Sequence, residues 1–163
     1  MAIDQRLTSS HFPYIPVQLE LDGLSRDFDM SDPADAARIP LLWDEFQHGS
    51  DQIRNRVGVD AFGLGFAWPA AKDGLFNYTA AAQVSSLEYI PDGWRGREIA
   101  AHEYAVFTHP GTLQDLKTTV DYIWQQWMPS CGLHGAQSPD FEFYDEAFQR
   151  NEGHVQIWVP IVR

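Results

Sequence analysis

Positive charge is scarce in this chain. Its 163 residues carry 11 Lys and Arg against 23 Asp and Glu, a formal net charge of −12 and a pI near 4.6. Nucleic-acid binding draws most of its affinity from basic side chains that displace counterions, so this balance argues against direct contact with DNA or RNA. Neutral or cationic partners fit better. Cysteine is nearly absent too: Cys131 alone can form neither an internal disulfide nor a four-cysteine zinc site, which fits a reducing compartment. Long apolar runs are missing. Asp4, Arg6, His11, Pro13, Pro16 and Glu20 interrupt the first 21 residues, and no stretch reaches the roughly 20 apolar residues that span a bilayer. The expectation is a cytoplasmic protein without membrane contact.

Aromatic residues, by contrast, are plentiful: 10 Phe, 6 Tyr and 6 Trp in a chain that is 44% hydrophobic. That is ample for a packed core, and the length predicts one domain over residues 1–163. Two rounds of the same element order follow along the chain. Val17 to Leu21 reads as a strand. Asp32-Pro33 offers a helix cap, but Pro40 breaks any helix continuing from there, so the first helix is expected over Pro40 to Gln47, with Gly49 near its end. Ala61 to Trp68 alternates Phe62, Leu64, Phe66 and Trp68 with small residues, and Leu75 to Val84 follows a Lys72-Asp73-Gly74 turn. In the second round, Glu98 to Thr108 reads as one strand ending at Pro110-Gly111. Thr112 then caps a helix with Asp115 at the third position, and Leu113, Leu116, Val120, Ile123, Trp124 and Trp127 keep helical spacing until Pro129. Strands at Phe141 to Asp145 and His154 to Val162 complete it.

Both rounds read β-α-β-β, repeat 1 over about 15–85 and repeat 2 over about 96–163, with Phe66 aligned to Phe143 and Tyr78 to Gln156. The fold class expected is α+β: duplicated units with pseudo-twofold symmetry, an antiparallel sheet, two main helices on one face, and a ligand cleft between the halves.

Alternation in the last two strands separates two unlike faces. Phe141 and Phe143 group with Val155, Ile157 and Val159, leaving Glu142, Tyr144, Gln156 and Trp158 as the opposite set. A carboxylate among aromatic rings is expensive in a plain core and suits an organic cation, whose charge meets the Glu and whose flat surface meets the rings.

Four blocks of the second half carry a family resemblance: Tyr104 to Leu113 (YAVFTHPGTL), Tyr122 to Pro129 (YIWQQWMP), Pro139 to Asp145 (PDFEFYD) and Gln156 to Ile161 (QIWVPI). Leu41 to Phe46 (LLWDEF) and Leu75 to Tyr78 (LFNY) add to it in the first half. Together they resemble the GyrI-like effector-binding domains, the ligand-binding modules of AraC-type activators such as Rob and of the MerR-type regulator BmrR. The resemblance implies a duplicated β-α-β-β fold that binds lipophilic, often cationic compounds, with Glu142 meeting the charge and Trp158 lining the pocket. Gln156 departs from the family, where an acidic residue is common. Tyr78, Phe76, Tyr122 and Trp43 are further candidates for the pocket wall, and Gly63 and Gly65 leave room for a ligand beside their strand.

The other constellations carry no chemistry. His102, Glu103 and His109 lack zinc spacing, Cys131 and His134 lack a third partner, and Gly63-Leu64-Gly65 lacks the rest of a dinucleotide fingerprint. No cofactor, metal or catalytic residue is expected. The leading reading is a stand-alone binding protein for cationic or neutral aromatic compounds, without a DNA-binding region and with a protein partner or homodimer left open. A GyrI-like hydrolase is the alternative, and a gyrase-inhibitor-like interaction module a further one.

Overall fold

A computed structural model describes residues 19–29, 31–65, 75–109, 112–135, 138–150 and 152–162. In chain order the elements are β1 (Leu19–Asp29), α1 (Pro33–Ala36), α2 (Ile39–Gly49), β2 (Arg56–Gly65), β3 (Leu75–Val84), β4 (Arg95–Ile99), β5 (Tyr104–Thr108), α3 (Leu116–Tyr122), α4 (Met128–Ser130), β6 (His134–Gly135), β7 (Asp140–Tyr144), α5 (Glu146–Gln149) and β8 (Gln156–Val162). Val17, Phe66, Trp68, the Lys72-Asp73-Gly74 turn and Pro110-Gly111 lie outside the described residues.

Local chemistry sets the helix boundaries. Asp32 caps α1, its side chain accepting the Ala34 amide at 2.9 Å, and α1 ends after one turn. Pro40 then sits in the first turn of α2, where its missing N–H leaves no hydrogen bond unmade. Thr112 and Asp115 form a capping box ahead of α3. The helix expected to stop at Pro129 instead passes through a π-helical turn, Ile123–Trp127, into α4. Proline has no amide N–H and its ring clashes with the carbonyl four residues back, and the widened turn lies just before it.

All strand pairs are antiparallel, in the order β4-β1-β3-β2-β7-β8-β5, with β6 added to β8. The central run β1-β3-β2 meets its mirror β7-β8-β5 at the β2/β7 seam, which is the expected pseudo-twofold arrangement of two β-α-β-β units. The single strand expected over Glu98 to Thr108 is two strands. β4 pairs with β1 at one edge and β5 with β8 at the other, so the chain between them crosses the sheet and cannot continue one ladder.

Both helical segments pack on one face. Leu42 and Phe46 of α2 join Phe28, Tyr78, Ala80, Ala82 and Tyr144, while Ile123, Trp127 and Met128 join Ala105, Phe107, Ile157, Val159 and Ile161. Leu116 packs against both groups. The opposite face gathers Leu21, Phe62, Leu64, Ala81, Ile99, Tyr104 and Phe141.

Candidate functional site

At the β2/β7 seam, on the helix-covered face, Gly63 lies directly across from Glu142 and Gly65 across from Asp140. The glycines are what let the site form. A Cβ at Gly63 would stand 2.2 Å from the Tyr78 hydroxyl and 2.7 Å from Glu142 Oε2, and one at Gly65 would stand 2.9 Å from Phe76 Cζ and 3.0 Å from Asp140 Oδ1. The space left by their missing side chains is therefore filled by the rings of β3 and the carboxylates of β7.

Tyr78, on β3, reaches across this floor and donates its hydroxyl to Glu142 Oε2 at 2.8 Å. Tyr144, two residues along β7, donates to the same oxygen. Trp43, on α2, donates its indole N–H to the Tyr78 hydroxyl at 3.1 Å. Its ring stands edge-on to Tyr144 at 5.2 Å and to Phe46 at 5.5 Å, and Phe76 lies 6.1 Å from Tyr78. Glu142 is thus a half-buried carboxylate held by two phenols inside an aromatic frame.

Burial pushes the Glu142 carboxyl above the ordinary range, against the pull of the Tyr144 and Tyr78 hydrogen bonds. Both phenols are raised well above theirs, first by burial and then by the Glu142 charge, so they stay protonated and remain donors. Asp140, which the sequence reading passed over, is pushed up to about 7 by burial and by the neighbouring Glu142 charge. Its signal was present, because a residue two before Glu142 on a strand shares its face.

The structure brings together Glu142, Tyr144, Tyr78, Phe76 and Trp43 of the residues singled out from sequence. The face expected for Trp158 and Gln156 is corrected. Phe141 pairs with Trp158, Glu142 with Ile157 and Phe143 with Gln156, so Trp158 and Gln156 stand on the face away from Glu142. There Trp158 stacks on Phe141 at 5.3 Å and donates its N–H to Gln156 Oε1 at 3.2 Å. Tyr122 packs with the second-half group around Ile123 and Trp127, apart from the Tyr78–Glu142–Tyr144 cluster.

The duplicated β-α-β-β sheet is the fold of effector-binding domains. Residues 23–161 match the model of the Cass2 family, described as integron-associated effector binding protein, and the chain belongs to that family. The transcriptional regulator BrlR of Pseudomonas aeruginosa is 28% identical over 127 residues, 76% of this chain and 46% of BrlR, so this chain spans about half the length of that relative. Among solved structures, an integron cassette protein of Vibrio cholerae superposes with a TM-score of 0.69 at 19% identity, over 94% of this chain and 95% of its own. SAV2435, solved bound to tetraphenylphosphonium, superposes with a TM-score of 0.70 at 19% identity, over 94% of each chain. These likenesses establish the fold. No helix among the described residues is long and apolar enough to cross a membrane.

Proposed function

We propose that this chain binds lipophilic organic cations, with the Glu142 carboxylate meeting the positive charge and Trp43, Tyr78 and Tyr144 supplying ring faces. One observation carries the reading. Both phenols donate to Oε2, no described donor reaches Oε1, and no described Lys, Arg or His pairs with the carboxylate. A half-buried carboxylate with one open oxygen is poised for a cation that brings its own apolar surface. Each ring face adds cation–π attraction of about 0.5–2 kcal/mol, and flat ligand surface is buried at about 25 cal/mol per Å². The tetraphenylphosphonium held by SAV2435, a protein of this fold, supports the same ligand class. The acidic surface raises the local concentration of such compounds before contact. Family membership and the BrlR likeness support a regulatory use, in which the loaded domain signals through a partner.

A second reading, hydrolysis of an electrophilic small molecule, draws on the Glu142 carboxyl, which burial raises above the ordinary range in the direction that suits a proton-transfer group. Calorimetric titration of tetraphenylphosphonium and of neutral triphenylphosphine oxide into wild type and Glu142→Gln tests the first reading. Loss of roughly tenfold or more in cation affinity, with the neutral compound changed little, is the expected result, since hydrogen bonds and pairs with charged groups are worth about 1.5–3 kcal/mol. Unchanged cation affinity sinks it. Mass spectrometry of an aryl epoxide after incubation separates binding, which leaves the mass unaltered, from hydrolysis, which opens the ring and adds one water to give the diol.

A further inference from the structure

The seam holds a second carboxylate in matching surroundings. Asp140 precedes Glu142 by two residues on β7, so both side chains leave the same face of the sheet. Each lies over a glycine of β2 and beside a ring of β3: Glu142 over Gly63 next to Tyr78, Asp140 over Gly65 next to Phe76. The two differ in one respect. Tyr78 and Tyr144 donate to Glu142, whereas Phe76 has nothing to donate, and no side chain among the described residues hydrogen-bonds or ion-pairs with Asp140. Asp140 caps no helix and bridges no strands through its side chain. It is a half-buried carboxylate that accepts from its own backbone amide, beside a glycine, a phenyl ring and a second carboxylate, with the Tyr104 phenol near enough to be raised by its charge.

Such a group costs stability unless something cationic meets it. Alternate residues of a strand have backbones about 6.5–7 Å apart, so the seam presents two carboxylates one such step apart on one face, each flanked by a ring. We propose that Asp140 is a second anionic subsite and that the seam selects organic dications, Glu142 holding one positive centre and Asp140 with Phe76 the other. This rests on the reading of Glu142 as the partner of a ligand cation. A monocation at Glu142 offsets the charge that helps to raise the Asp140 carboxyl, and burial then remains as the main opposition to its ionisation. Gln156 lies on the other face and removes no charge from this pair.

Ethidium and propidium share one ring system and differ in carrying one or two positive charges, which makes them a matched test. Fluorescence titrations are run at pH 8.5 and moderate salt on wild type, Asp140→Asn and Glu142→Gln. Wild type is expected to bind propidium about tenfold or more tightly than ethidium, and Asp140→Asn to erase that ratio while ethidium affinity changes by less than about threefold. Because the ratio is read within one folded protein, a general loss of stability does not imitate the result. A propidium preference that persists in Asp140→Asn, or is missing from wild type while Glu142→Gln still weakens ethidium, overturns the second subsite and leaves the Glu142 reading standing. Ethidium affinity unchanged in Glu142→Gln overturns both.

Discussion

Tyr78 and Glu142, 64 residues apart in the chain, meet through a 2.8 Å hydrogen bond that crosses the backbone of Gly63. The bond joins the two repeats. It also fixes the carboxylate: with Tyr144 on the same oxygen, the Glu142 side chain is held before any ligand arrives.

Removing either phenol frees that carboxylate. Tyr78→Phe and Tyr144→Phe each delete a hydrogen bond that pulls the Glu142 carboxyl down against its burial, so its pKa is expected to climb further. Cation affinity at neutral pH should fall by about tenfold or more, the lower end for a hydrogen bond to a charged group. Titration of the cation at pH 7 and pH 9 checks the cause, since part of the loss returns where the carboxyl is ionised. An equal loss at both values points away from the shifted carboxyl.

Gly63→Ala tests the floor of the site. The added methyl would stand 2.2 Å from the Tyr78 hydroxyl and 2.7 Å from Glu142 Oε2, closer than any real contact allows. The expected result is a stability loss of about 1–3 kcal/mol in urea unfolding, with loss of cation binding in the protein that remains folded. A variant with both properties intact would mean that the Tyr78–Glu142 bond does not lie over this residue.

Asp22 offers a separate test of the fold, on β1, two strands from the β2/β7 seam. It is fully buried, no side chain among the described residues pairs with its carboxylate, and burial pushes it up to about 6 against a smaller pull from the Gly23 amide. Its folded pKa lies above the unfolded value near 4, so the folded state holds the proton more tightly. The stability this gives is full below about pH 4 and is lost as pH rises through about 6. Asp22→Asn stays neutral, and its stability relative to wild type should rise by about 1–3 kcal/mol between those values and then level off. Parallel unfolding curves with no change in the difference between pH 4 and pH 7 would contradict a buried, proton-holding Asp22.

Much of this was legible in the residues. The spacing of Leu116, Val120, Ile123 and Trp127 marked a buried helix, Pro40 marked where one begins, and the order of strands and helices gave both repeats. Glu142 and Tyr144 stood out because a carboxylate among aromatics is costly without a purpose, and Tyr78 through the first-half block that resembles the family. What failed was phase. Period-two alternation assigns faces within one strand and says nothing of how the next strand is registered, and a slip of one residue turns every side chain over. Between β7 and β8 the chain passes through α5, and the pairing that results sends Trp158 and Gln156 to the far face. The π-helical turn at Ile123–Trp127 does the same for a helix, since its wider turn shifts the stripe for the residues that follow, and Tyr122 just before it packs with the second-half core. Trp43 could be suspected from sequence, but its hydrogen bond to Tyr78 depends on how α2 lies on the sheet. Asp140 was within reach, had the alternation that found Glu142 been followed two residues back.

Carbon-13 NMR of the Glu142 side-chain carboxyl, followed against pH with and without saturating tetraphenylphosphonium, reads the contact between carboxylate and cation at the atom concerned. Without ligand the midpoint should lie above the ordinary glutamate value, and with ligand it should drop by roughly 1–3 pH units, as it does for a carboxylate given an opposite charge within about 4–6 Å. A midpoint that does not move when tetraphenylphosphonium binds, or that moves upward, would mean that the cation sits elsewhere.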